Sequence, residues 1–207
     1  MTGTNQADVE RAADAALRGE LVVIPTDTVY GIGSRPDDDA ATDRIFEAKQ
    51  RPRDLELPVL APSLESADEV GRIEGAARLL AERFWPGPLT LVVGRRSSSR
   101  SWQLGGNPET IGLRVPNDQT ALAVLVRTGP LAVTSANRSG EPTPATCEEV
   151  VEVFGDLVSV TLCADAELSG AASTVVDCTN VPPVVLRQGG VSVAEVEATF
   201  SNGPDGR

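Results

Sequence analysis

Apolar residues recur along this chain with two periods, and the switches between them mark its elements. Val9, Ala12, Ala13, Ala16 and Leu17 fall at helical spacing and Gly19 follows as a stop, so the pattern predicts an amphipathic helix. Residues 21–24 form a short apolar run closed by Pro25, the mark of a strand ending at a loop. Pro36 and the acids 37–39 suit a helix start. That helix is expected to end near Lys49, because Pro52 disfavours helix at Arg51. A strand over 57–61, a helix carrying Ile73, Ala76, Ala77, Leu80 and Phe84, and a strand over 89–93 come next.

Residues 95–100 are rich in Ser and Arg with no acid, which predicts a mobile loop. Over 110–115 the chain alternates: Ile111, Leu113 and Val115 share one face, Thr110, Gly112 and Arg114 the other. One face is core and the other can meet a ligand. A strand over 131–133 runs into Thr134-Ser135-Ala136-Asn137. Capping boxes at Thr146/Glu149 and Ser192/Glu195 start two further helices, the first running through Phe154, and strands fit 158–162, 173–177 and 184–186. The order is not a clean βαβ alternation, so an α/β fold with a mixed sheet is expected. With no internal repeat or linker, it reads as a single domain over 1–200 with a disordered tail at 201–207.

Composition changes this picture mainly by exclusion. The 207 residues suit one domain, and 18 basic against 30 acidic side chains give a net charge of −12. There is no histidine, which excludes Ser-His-Asp and Cys-His nucleophile systems, H-E-x-x-H zinc proteases and imidazole acid/base work. The 18 basic residues are 17 arginines and one lysine, Lys49. A genome biased towards arginine codons would account for the skew, yet lysine and arginine are not interchangeable at a site. The stretch 44–53 carries four basic residues against Glu47 alone, a local +3. Cys147, Cys163 and Cys178 are far apart with no C-x-x-C spacing, so reduced thiols are expected, with neither a disulfide framework nor a zinc site. The N-terminus is polar and no run approaches the ~18 apolar residues of a membrane helix, so a soluble, cytoplasmic protein is expected. Its acidity argues against a broad nucleic-acid surface.

Glycine-loop phosphate signatures are absent, Gly31-Ile32-Gly33 being too short to count. Instead, polar motifs sit at strand ends, where a sheet's ligands gather: P-T-D-T-V-Y-G from Pro25, K-x-R at Lys49 and Arg51, W-P-G-P-L-T from Trp85, R-V-P from Arg114, T-S-A-N-R-S-G from Thr134, S-T-V-V-D from Ser173 and L-R-x-G from Leu186. Each has a plain reading. Lys49 and Arg51 can complement a helix dipole, Thr26 to Thr28 can form a hydrogen-bonded turn, Ser135 and Asn137 can cap the next helix, and Trp85-Pro-Gly-Pro is a packed turn. Arg114 lies among apolar neighbours, so its guanidinium needs an anionic partner, and a ligand could be that partner.

In this order the motifs resemble the YrdC/TsaC family of threonylcarbamoyl-AMP synthases, over about residues 17–190. The resemblance is to the short, single-domain type and implies a twisted mixed sheet with flanking helices around a concave basic cavity. It implies that L-threonine and bicarbonate form a carbamate, which attacks the α-phosphorus of ATP and expels pyrophosphate, with Mg²⁺ bridging phosphates and no protein metal residue. The product feeds the threonylcarbamoyl transferase machinery that modifies position 37 of ANN-decoding tRNAs. Carried over by motif, Thr28, Arg114, Val133 and Ser173 would hold threonine or its carbamate. Lys49, Arg51, Thr110, Ser135, Asn137, Thr143 and Arg187 would hold ATP, with Lys49, Arg51, Ser135 and Asn137 the catalytic set. After K-x-R-P many members read N-P-L-x-x-H, whereas Leu55 and Leu60 stand in place of the Asn and His here. Two other classes compete. One is a non-catalytic module for double-stranded RNA or tRNA, with Arg95, Arg96 and Arg100 as contacts. The other is the carbamoyl-transfer module of hydrogenase maturation, which sits in much longer chains.

Overall fold

The structure, a computed structural model, describes residues 5–164 and 168–201. In chain order its elements are α1 (Gln6–Leu17), β1 (Val22–Ile24), β2 (Gly31–Ser34), α2 (Asp39–Lys49), β3 (Val59–Leu60), α3 (Leu64–Val70), α4 (Gly75–Phe84), β4 (Leu89–Gly94), β5 (Thr110–Arg114), α5 (Gln119–Thr128), β6 (Leu131–Ser135), α6 (Cys147–Phe154), β7 (Val160–Thr161), β8 (Thr174–Asp177), β9 (Val184–Arg187) and α7 (Val193–Ser201). The strands form one mixed sheet in the order β7-β1-β2-β6-β3-β5-β4-β8-β9. Pairs β1/β7, β3/β5 and β4/β8 are parallel and the others antiparallel, the mixed α/β arrangement expected.

Strand alternation sorts the apolar residues into two cores, one on each side of the sheet. Val23, Ile32, Val59, Leu91, Ile111 and Leu113 pack in the larger. Val22, Ile24, Leu60, Leu131 and Val133 join Val9, Ala12, Ala13 and Ala16 of α1 and Ala121, Val124 and Leu125 of α5 in the smaller. Helices α1 and α5 therefore roof only part of that second face. Over β5, β4 and β8 its residues are Gly112, Arg114, Thr90, Val92 and Val175, and they line a cavity instead.

Two helices and one strand lie outside the elements the pattern predicts. Helix α3 has only seven residues and two buried positions, too few to show a period. Helix α5 does carry one, with Asp118 accepting a cap hydrogen bond from the Ala121 amide at 2.8 Å. Strand β2 reads Gly-Ile-Gly-Ser, and its glycines carry no strand signal because β6 leaves no room for a side chain. A Cβ on Gly31 would lie 2.5 Å from Val133 Cγ1, and one on Gly33 would collide with the Ala132 carbonyl.

Two expectations are corrected. Cys147 and Cys163 form a disulfide, because the start of α6 and the segment after β7 bring their Cα atoms to 5.4 Å; Cys178 is the free thiol among the described residues. Nor is 95–100 a mobile loop. Arg95 is buried, donating from Nε to the Thr110 carbonyl at 2.6 Å and from Nη1 to the Trp102 carbonyl at 2.8 Å, and Arg96 is bound to Asp68. No described helix is long and apolar enough to cross a membrane. Of the expected tail at 201–207, Ser201 instead ends α7, and the rest lies outside the described residues.

Candidate functional site

The cavity on the unroofed face has a volume of about 420 Å³, the range of a small-ligand site. Thr28, Arg51, Arg114, Val133, Ser135, Thr143, Ser173 and Arg187, from motifs spread over the whole chain, all reach it. Lys49, Asn137 and Thr110 are not among its lining residues.

The P-T-D-T segment links β1 to β2 as a tight hydrogen-bonded turn. Thr26 gives its hydroxyl proton to the Val29 carbonyl at 2.6 Å while its oxygen accepts from the Thr28 and Val29 amides. With that one proton spent, Thr28 must be the donor in the 2.9 Å contact between the two hydroxyls. The oxygen of Thr28 is then aimed at Arg114 Nη1, 2.9 Å away. Arg114 also donates from Nε to the Gly87 carbonyl at 3.0 Å and from Nη2 to Asp27 at 2.5 Å. Its anionic partner is thus Asp27, with side chains only 7% and 13% exposed, and not a ligand as its burial had suggested. Three of the five guanidinium N–H groups are committed, and two remain for a substrate. Burial pulls the Arg114 pKa down while Asp27 opposes the shift. The Trp85-Pro-Gly-Pro turn, held by Trp85 Nε1 donating to the Leu89 carbonyl at 2.7 Å, is structural and supplies Gly87 to this arginine.

Lys49 ends α2 and is 1% exposed. Gln50 caps the helix in the left-handed region at φ 51°, so the chain turns sharply between Lys49 and Arg51 and sends the two side chains different ways. The Lys49 ammonium donates to the carbonyls of Ser135 and Asn137, with Asn137 Oδ1 3.4 Å away. Burial, then the Arg51 guanidinium, pulls its pKa down to about 7, and the oxygens around Nζ work the other way by favouring the protonated form. Asn137 is equally committed: its Oδ1 accepts from Ser135 Oγ at 2.6 Å and its Nδ2 donates to the Arg138 and Glu141 carbonyls. Lys49 and Asn137 therefore build the loop that presents Ser135. The local +3 of residues 44–53 disperses in the same way, with Arg44 on the Gly19 carbonyl and Arg53 on Asp43, leaving Arg51 at the cavity.

Arg51 donates from Nε to the Leu55 carbonyl at 3.1 Å and from Nη2 to that of Glu56 at 2.9 Å. The Leu55 side chain is exposed, and Leu60 is cavity wall. Arg187 donates to the Ser173 carbonyl, and Ser173 Oγ lies 2.9 Å from Thr90 Oγ1. Burial lowers the pKa of Arg51, with Arg187 adding repulsion, and Arg187 opposes the charge of Arg114 as well. Three guanidinium groups around one cavity, Arg187 repelling both of the others, make a site for anions. Thr110 sits at the start of β5, its hydroxyl 3.4 Å from the Asn107 carbonyl.

The sequence reading passed over Asp27, Thr90 and Glu56. The first sits inside a motif already singled out and the second alternates with core residues of β4, so both were findable; Glu56 carries no sequence signal. Of the three arginines offered as RNA contacts, Arg95 is buried, Arg96 is bound to Asp68, and Arg100 is 3.7 Å from Glu109. Among the described residues no group of three His, Cys, Asp or Glu could hold a metal ion.

A family profile for Sua5, YciO and YrdC, described as "Telomere recombination", matches residues 14–189. A Mycobacterium leprae protein provisionally named threonylcarbamoyl-AMP synthase is 43% identical over 187 residues, covering 89% of this chain and 84% of that protein. The threonylcarbamoyl-AMP synthase of Bacillus subtilis is 35% identical over 199 residues, 95% of this chain and 58% of that protein. Among solved structures, Pyrococcus abyssi Sua5 complexed with L-threonine superposes with a TM-score of 0.86 at 35% identity, over 96% of this chain and 59% of that one. The chain thus spans somewhat under two thirds of these last two proteins.

Proposed function

The chain belongs to the Sua5/YciO/YrdC family, and from that membership we propose that it is a threonylcarbamoyl-AMP synthase, a nucleotidyltransferase acting on L-threonine, bicarbonate and ATP. The observation that carries the reading is the convergence of Thr28, Arg51, Arg114, Ser135, Ser173 and Arg187 on one cavity, from six separate stretches of chain.

In this reading the two uncommitted N–H groups of Arg114 hold the carboxylate of threonine in the paired geometry a guanidinium favours. Asp27 fixes the plane of that guanidinium, and Thr28, Val133 and Ser173 bound the same end. The threonine amine adds to bicarbonate, giving the carbamate and water. A carbamate oxygen then forms a bond to the α-phosphorus as the bond to pyrophosphate breaks. Arg51 and Arg187 stabilise charge on the phosphates, and Ser135 and Thr143 donate hydroxyl hydrogen bonds. Lys49 and Asn137 act here as positioning residues behind Ser135, and Thr110, two positions before Gly112 on the same face of β5, completes the nucleotide side. Such chemistry needs alignment and charge stabilisation, with no imidazole. ATP would enter as its Mg²⁺ complex, the ion supplying charge neutralisation on the phosphates, since the cavity lining offers one carboxylate and no cage of ligands. The product is consumed by a threonylcarbamoyl transferase acting on tRNA.

Purified protein given ATP, threonine and bicarbonate should release pyrophosphate and form threonylcarbamoyl-AMP. Release that is equal without threonine, or absent, overturns the assignment.

A further inference from the structure

The cavity has one charged lining residue that the roles above leave unused. Glu56 is its sole acidic side chain, facing a lining that includes three arginines. Among the described residues, its Oε1 is the one buried side-chain nitrogen or oxygen with no hydrogen-bond partner. The nearest cation is Arg95, at 3.8 Å, whose guanidinium is already held by backbone carbonyls. Burial raises the Glu56 pKa to about 7, and Arg95 together with a hydrogen bond from the Gly112 backbone opposes the shift. The carboxyl therefore lies at the Gly112 end of the cavity, on the Arg95 side.

The surroundings say what could meet it. Pro58, Val92 and Gly112 wall this end, and they offer apolar surface and no side-chain donor. Gly112 needs no special backbone angle, and a Cβ there would touch nothing closer than Thr90 Cγ2 at 3.6 Å and Pro58 Cβ at 3.7 Å. The protein does not force a glycine at this position, so the missing side chain leaves a flat floor in the open cavity. A phosphate or carboxylate would be repelled by Glu56. A planar, uncharged group carrying an N–H donor would not.

We propose that Glu56 is a base-specificity residue, accepting a hydrogen bond from the exocyclic amine of adenine while the ring lies over Gly112 between Pro58 and Val92. The inference rests on the synthase reading and deepens it, because it states why ATP, and not a nucleotide with a carbonyl at that ring position, is the substrate.

Binding of ATP, purine riboside triphosphate (no exocyclic amine), ITP (a carbonyl there) and 2′- and 3′-deoxy-ATP to the unmodified protein, measured by titration calorimetry, tests it without any variant. ATP should bind about tenfold more tightly than purine riboside triphosphate, ITP more weakly still, and the deoxy analogues within about twofold of ATP. In Glu56→Leu the ATP preference should collapse to about twofold, and Gly112→Val should weaken all five nucleotides. An intact preference in a folded Glu56→Leu, or a wild-type protein indifferent to the amine, overturns the proposal. Discrimination that follows the ribose hydroxyls also overturns it, since Glu56 would then hold the sugar. Failure of the synthase reading shows separately, as pyrophosphate release by wild type that does not depend on threonine.

Discussion

The single lysine of this chain acts inward. Its ammonium sits between the carbonyls of Ser135 and Asn137, a place that takes one compact nitrogen and rejects a planar fork. Lys49→Arg should shift the Ser135 loop and lower threonine-dependent turnover about a hundredfold, the scale of an ångström-level misplacement, while circular dichroism shows the fold retained. Wild-type rates would remove Lys49 from the mechanism. Lys49 also leaves a sign in the pH dependence of stability. Its pKa is about 7 when folded against the ordinary 10.5, so between those values the unfolded chain binds the extra proton and stability rises with pH. The difference in unfolding free energy between wild type and Lys49→Met should therefore shift in favour of wild type from pH 7 to pH 10. A difference that is flat or moves the other way would show that the carbonyl cage keeps Lys49 charged. The K-x-R and S-x-N pairs were legible in the sequence. Which member of each pair faces the cavity was not: the left-handed cap at Gln50 divides Lys49 from Arg51, and hydrogen bonds with Lys49, Arg138 and Glu141 hold Asn137 behind Ser135.

At the scale of elements, what the sequence shows is what local physics fixes. Helix periods, proline stops and both predicted capping boxes recur in the structure, the Thr146 box with both of its hydrogen bonds and the Ser192 box likewise. What it hides is set across strands. Gly33 lies against the Ala132 carbonyl and Val133 Cγ2, the latter 2.7 Å from where a Cβ would stand. Gly33→Ala should cost roughly 1–3 kcal/mol in urea unfolding, the range of an overpacking change, and a neutral result would mean that β2 and β6 can separate freely. The Cys147–Cys163 bond is another cross-element fact, closing a separation of 16 residues. Unfolded, unreduced protein should titrate one thiol, rising to three after reduction. Reduction should lower the unfolding free energy by about 3 kcal/mol, and three thiols before reduction would disprove the bond. Arg95 and Arg96 belong here as well: a charged, serine-rich stretch looked like a loop only because its acceptors, the carbonyls of Thr110 and Trp102 and the carboxylate of Asp68, lie elsewhere in the chain.

For the whole molecule, a net −12 coexists with a cavity that gathers Arg51, Arg114 and Arg187 against one acid. Field lines converge in such a cleft, while the outer surface repels polyanions. Nucleotide affinity should thus fall with added salt. Generic duplex RNA at 0.15 M salt should bind no tighter than about 10⁻⁴ M, the weak end of non-specific binding, in a filter or anisotropy assay. Micromolar, steeply salt-dependent RNA binding without ATP turnover would instead support a non-catalytic RNA module.

The sequence by itself determined the family, the mixed α/β class, most of the elements and the motifs that supply the cavity. These follow from periodicity, caps and turn residues, whose physics acts within a few neighbours along the chain. The tertiary structure alone decided direction and partnership: Lys49 and Asn137 turned inward, Arg114 paired with Asp27, Cys147 joined to Cys163, and Glu56 placed in the cavity wall with its Oε1 unmatched. Each depends on groups 16 to 88 residues apart, or on a packing that leaves one atom unmatched. Charge and hydrogen bonding across such separations are settled only when the sheet closes and water leaves.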